Sequence, residues 1–127
     1  DTASAPGTFR IWRFNGGIRD GQIIYSMVGW GNMARYVSHR NAPEPFAIMS
    51  GASVDDRPRA HEIVRVPLEP TGQCQILAPS MAALHVAGLD PYSVTPKAVV
   101  DRTGGWVVWT TNCGTDRLDA FLVQVPR

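Results

Sequence analysis

Lysine is almost missing from this chain. Lys97 stands alone beside eleven arginines, and the formal net charge is only +1. Non-specific nucleic-acid binding relies on clustered Lys and Arg to neutralise many phosphates. No concentrated basic run occurs here, so that class is disfavoured. The arginine excess reads as the codon bias of a GC-rich genome rather than as a set of planar forks for carboxylate or phosphate. Long hydrophobic runs are also absent: no stretch approaches the roughly 18 apolar residues of a membrane-spanning helix.

Cysteine is scarce too. Cys74 and Cys113 are the only two, too few for a four-cysteine zinc site. They are expected to form one disulfide, which closes a loop of about 40 residues and contributes roughly 3–4 kcal/mol. The small, polar opening from Asp1 to Gly7 reads as a mature N-terminus after removal of a leader. Together these features point to a secreted or periplasmic protein. The histidines His39, His61 and His85 show no metal-ligand spacing, and Asp55-Asp56 lacks the alternating oxygen ligands of a calcium loop. Neither a metal nor a cofactor is called for.

What the chain does contain is apolar residues in short segments. The hydrophobic fraction is 44% and the charged fraction 18%, which suits a globular chain rather than a disordered one. A length of 127 residues fits one domain over 1–127, with 1–7 as a flexible N-terminal segment. Ten prolines and twelve glycines cut the chain too often for long helices and favour short strands.

Strands are expected at Thr8–Asn15, with a bulge where the alternation slips between Ile11 and Trp12, and at Gln22–Trp30, apolar on both faces. Further strands are expected at Phe46–Met49, His61–Leu68, Gln73–Ala78, Lys97–Asp101, Trp106–Thr111 and Leu118–Val125. Arg102 to Gly105 forms a hairpin loop. Asn32 can cap a short helix over Met33–Arg40, although an edge strand fits there as well, and Ser80 can cap another over Met81–Ala87. Gly88 and Asp90-Pro91 stop that second helix. The expected fold is mainly β: a sandwich or small barrel of about eight short strands with one or two short helices.

Candidate chemistry is sparse. Phosphate-cradling loops, nucleophile elbows and paired zinc histidines are all missing. His61, Glu62 and Arg65 are the best acid–base group, offering base, acid and charge stabiliser for phosphodiester cleavage. Alternation places His61 and Arg65 on one face and Glu62 on the other. Arg35, His39, Arg40, Arg57 and Arg59 can form an anion-binding patch if their loops converge, with Glu44, Asp55 and Asp56 able to neutralise it. His85 reads as a hydrogen-bonded residue at the core edge.

Four tryptophans (Trp12, Trp30, Trp106 and Trp109) are many for this length. Trp106 and Trp109 have opposite parity on one strand, so if Trp109 is core then Trp106 lies outside it. Trp30, held between Gly29 and Gly31, is the other candidate for exposure. An exposed indole serves as a platform for sugars or as an anchor at protein interfaces. The sequence therefore reads as an exported recognition domain for a protein or glycan partner, bound through loops and an exposed Trp. The alternatives are a small hydrolase or nuclease-like enzyme using His61, Glu62 and Arg65, and a structural subunit of an assembly.

Overall fold

A computed structural model describes residues 8–11, 21–26, 36–40, 45–51, 58–69 and 72–126. The expected flexible segment 1–7 lies outside them. The described residues are mainly β, with nine strands and a single four-residue helix. All pairings are antiparallel. β1 (Thr8–Ile11) and β2 (Gln22–Ser26) form a two-stranded ladder whose register shifts between Phe9 and Arg10. That irregularity falls two residues before the expected bulge.

A four-stranded sheet follows in the order β3 (Tyr36–Arg40), β4 (Phe46–Ser50), β5 (Glu62–Pro67) and β6 (Gln75–Pro79). β4 is buried at every position, as an unbroken apolar run demands of a central strand. Such a strand needs a ladder on both edges. β3 supplies one, pairing Tyr36 with Ser50 through to Arg40 with Phe46. Over 36–40 the edge strand, the alternative to a helix there, is the one that forms, favoured by sheet pairing and by the aromatic and β-branched Tyr36-Val37.

The third sheet runs β7 (Val99–Val100), β8 (Trp106–Thr111) and β9 (Asp119–Gln124). β8 alternates strictly, with Val107, Trp109 and Thr111 buried and Trp106, Val108 and Thr110 exposed. One core cluster draws on both larger sheets. Phe46, Ile48 and Ile63 come from the first, and Ala98, Val100, Val107, Trp109 and Val125 come from the second and its flanks. Leu77, Ala78, Phe121 and Val123 pack around it, partly buried. Trp109 stacks on its cross-strand neighbour Phe121 with ring centroids 5.9 Å apart, and its indole N–H donates to the Ser80 carbonyl at 3.3 Å.

Side chains stitch the two sheets where backbone ladders end. Ser50 Oγ accepts from Ala98 N at 2.9 Å and donates to Pro96 O at 3.3 Å, and Ser38 Oγ accepts from Val100 N at 3.2 Å. Asn112, fully buried, does the same for the stretch after β6. Its Oδ1 accepts from Ala83 N and its Nδ2 donates to Ala83 O, both at 2.9 Å. These bonds satisfy backbone groups that burial would otherwise leave costly.

The helix expected over Met81–Ala87 does not form, for related reasons. Met81 has a positive φ of 57°, a conformation no α-helix contains, and Ala83 spends its backbone groups on Asn112. Ser80 caps nothing; its Oγ is buried with no hydrogen-bond partner among the described residues. The helix that does form, α1 (Pro91–Val94), begins at the Asp90-Pro91 pair expected to stop one. Asp90 is its N-cap, accepting from Tyr92 N at 3.2 Å, and Pro91 occupies the first turn, where a missing N–H costs nothing.

The expected disulfide is also absent: Cys74 and Cys113 are both free. Cys74 sits at the entrance to β6. Asn112 holds the neighbourhood of Cys113 beside Ala83, beyond the exit of the same strand. A five-residue strand alone spans about 17 Å, far more than the roughly 4.4–6.8 Å between bridged Cα atoms. The sulfur-based case for an oxidising compartment falls with the bridge. Among the described residues no helix is long and apolar enough to cross a membrane.

Candidate interaction surface

The outward face of β7–β8–β9 can be built residue by residue from its register. Val99 pairs with Val108, and Val108 with Leu122. Paired residues share a face, so three aliphatic side chains stand abreast across the sheet. All three are open to solvent, at 52%, 43% and 62% exposure respectively. Trp106, 43% exposed, extends the row toward the hairpin loop, opposite Gln124. Thr110 and Ala120 extend it the other way. The same sheet thus presents an apolar surface on each side, one in the core and one outside.

The loop beside Trp106 is organised by one carboxylate. Asp101 Oδ2 accepts from the Thr103 hydroxyl at 2.6 Å and from Thr103 N at 3.1 Å. Its Oδ1 accepts from Gly105 N at 2.9 Å and Trp106 N at 3.0 Å. Asp101 N in turn donates to Trp106 O at 2.8 Å, so Trp106 is fixed through both of its backbone groups. The Thr103 hydroxyl, aided by the amides of Trp106, Thr103 and Gly105 and opposed by some desolvation, lowers the Asp101 pKa to about 2. Gly104, with φ of 75°, supplies the left-handed residue this tight loop needs.

The three residues of the acid–base group each make contacts of their own. Arg59 grips both oxygens of Glu62 through Nη1, at 2.9 and 3.2 Å, so that carboxylate is held in an ion pair. Arg65 lies with its guanidinium 4.7 Å from the centre of the Phe46 ring. His61 is half-buried in the turn before β5, and its carbonyl accepts from Ser80 N at 2.7 Å. The register shift at Ile63/Val64 places its extra residue, Leu77, on β6, and β5 keeps an unbroken register with β4 from Ile63 to Pro67. His85 is exposed rather than at the core edge.

The anion patch is placed only in part. Trp30, Arg35, Arg57, Glu44, Asp55 and Asp56 lie outside the described residues. His39 and Arg40 are on β3, and Arg59 is committed to Glu62. Comparison with protein families, with curated proteins and with solved structures returned no match.

The surface around Trp106 therefore stands on its own geometry. Of the residues singled out from sequence, Trp106 alone falls on it. Val99, Val108 and Leu122 were not singled out, although a signal was present. Leu122 is out of step with Phe121, Val123 and Val125, and Val108 shares the parity of Trp106.

Proposed function

We propose that this chain is a recognition domain that binds a protein partner through the outer face of β7–β8–β9, with its two larger sheets packed as a sandwich. The carrying observation is the row Val99–Val108–Leu122 with Trp106 beside it. Together these residues make an exposed apolar patch on the order of 400 Å², within the range of the largest patch on an ordinary monomer, which is often functional. Covering it yields roughly 10 kcal/mol gross at about 25 cal/mol per Å². That is comparable to the association cost of about 4–15 kcal/mol, so polar contacts at the rim must help.

A protein partner fits better than a glycan. Sugars stack on an indole but also need several hydrogen-bonding groups around the ring, whereas beyond Gln124, opposite Trp106, the face continues through the aliphatic Val108, Leu122 and Val99. An aromatic anchor among aliphatic side chains matches the centre of a protein interface. The Glu62–Arg59 pair adds no support to the enzyme reading.

The test is photo-crosslinking from position 108. A photoreactive residue replacing Val108 should trap a discrete partner. Excess wild-type domain should compete that product away, and excess folded Trp106→Ala should compete at least tenfold less well. Equal trapping from position 85, which is exposed elsewhere, or equal competition by Trp106→Ala, would reject the surface.

A further inference from the structure

Sheet edges expose unpaired backbone groups, and folded proteins blunt them with short strands, prolines, bulges or cover. The edges of the two larger sheets can be examined one by one. β7 is two residues long, and Val100 N is taken by Ser38 Oγ of β3, so those two edges meet each other. β6 ends in Pro79 and its ladder is interrupted by the Ile63/Val64 shift. β9 has none of these protections. It is six residues long, keeps a regular register with β8 from end to end, and contains no proline or glycine. Its sole charge, Asp119, sits at its first position. Among the described residues no strand pairs with its outer edge.

β9 is also apolar on both sides, with Phe121 and Val123 half-buried toward the core and Ala120 and Leu122 exposed on the outer face. A strand that completes this edge must therefore be apolar on both sides as well, and β9 of a second copy meets that demand. We infer that two copies of this chain pair antiparallel through β9, centred on Leu122, to make one continuous six-stranded sheet.

The register follows from complementarity. Centring on Leu122 sets Phe121 opposite Val123 of the second copy on the inner side. On the outer side it sets Leu122 against Leu122, and the small Ala120 against the longer Gln124. Centring on Phe121 instead sets Asp119 against Val123 inside the strand, whereas centring on Leu122 moves that charge to Val125, past the end of β9. In the Leu122 register no like charges oppose each other within the strands, since each contributes only Asp119. Two strands of this length meet along only about 17–20 Å, a narrow strip beside the roughly 800 Å² that each partner buries in a standard interface. The dimer is accordingly concentration-dependent. The seam shares Leu122 and Ala120 with the outer face, but it rests on the backbone edge of β9, and Trp106, Val108 and Val99 stay outside it.

Sedimentation velocity over rising concentration tests this. Wild type should move from 13.9 kDa toward twice that mass. Ala120→Lys/Gln124→Lys, which opposes two pairs of lysines across the two-fold axis, should weaken association at least tenfold. Ala120→Lys/Gln124→Glu, which opposes lysine to glutamate at the same points, should restore it and shows that these exposed positions tolerate charge. Val108→Lys, on the outer face but away from the edge, should dimerise like wild type. A wild type that stays monomeric at about 1 mM overturns the inference. So does a same-sign pair that associates normally, an opposite-sign pair that fails to restore association, or loss of the dimer on Val108→Lys alone. Failure of the dimer would leave the trapping of a partner from position 108, in protein with the native β9, to be read independently.

Discussion

Asn112 holds Ala83 by both of its backbone groups: Oδ1 receives the N–H and Nδ2 reaches the carbonyl, each at 2.9 Å. A side chain here does what a neighbouring strand would do. It ties the irregular stretch after β6 to the end of β8 and so closes one end of the core.

Removing that grip should be costly. Asn112→Ala leaves two backbone groups of Ala83 without partners and opens a small void, so a loss of about 2–3 kcal/mol is expected. Urea unfolding measures it. A change below about 0.5 kcal/mol would show that Asn112 is incidental. Asn112→Asp should also destabilise, because a carboxylate then faces the Ala83 carbonyl.

Asp101 makes an acid-stability prediction. Its pKa is lowered to about 2 in the folded chain, against about 3.9 for a free aspartate. A lowered folded value means the unfolded state takes up the proton first. The contribution of Asp101 is therefore fully present above about pH 4 and is lost as pH falls through about 2. Asp101→Ala should be less stable than wild type at pH 6, and the two should converge toward pH 2 in thermal melts. Parallel curves with no convergence would contradict the carboxylate's role.

The thiols give a chemical prediction. Iodoacetamide should alkylate both cysteines in native, unreduced protein, Cys113 before Cys74. Cys113 is exposed, whereas desolvation raises the pKa of the half-buried Cys74, with Arg59 lowering it and Glu62 raising it further. The thiolate is the reacting form, so both effects slow Cys74. Mass spectrometry of timed samples decides the order, and an unreactive pair that reacts only after reduction would restore the disulfide.

Cys113 also sits in a strained turn. Its φ is 47° and that of Gly114 is 79°, and Thr115 N donates to Asn112 O across them at 2.7 Å. Turns with positive φ at both central residues favour Asn-Gly. Cys113→Asn is expected to stabilise the chain by about 0.5–1 kcal/mol, read from the urea midpoint. Destabilisation would mean the thiol has a packing role.

Much of this architecture was legible where a residue's neighbours in sequence decide its fate. β8 alternates clearly, and opposite parity separates Trp109 in the core from Trp106 outside. Where distant residues decide, sequence reading failed. Met81–Ala87 carries a helical pattern, but Met81 takes a left-handed conformation and Asn112, 29 residues on from Ala83, claims the backbone. Over 36–40 the needs of β4 outweighed the cap at Asn32. Pro91 behind a helical pattern predicts a stop, yet after Asp90 it starts a turn of helix. The cysteine pair was joined because two cysteines invite it, and the position of β6 between them is not a local property. The aliphatic row of the outer face depends on which residues of β7, β8 and β9 stand opposite one another, and only the register supplies that.

The openness of that outer face is read most directly by one unfolding comparison of adjacent residues. Val107 is fully buried and Val108 faces outward. Val108→Asp should change stability by no more than about 0.5 kcal/mol, whereas Val107→Asp should prevent folding by burying an unpaired charge. Collapse of both variants alike would mean that the face is covered in the free chain, and would contradict its reading as a binding surface.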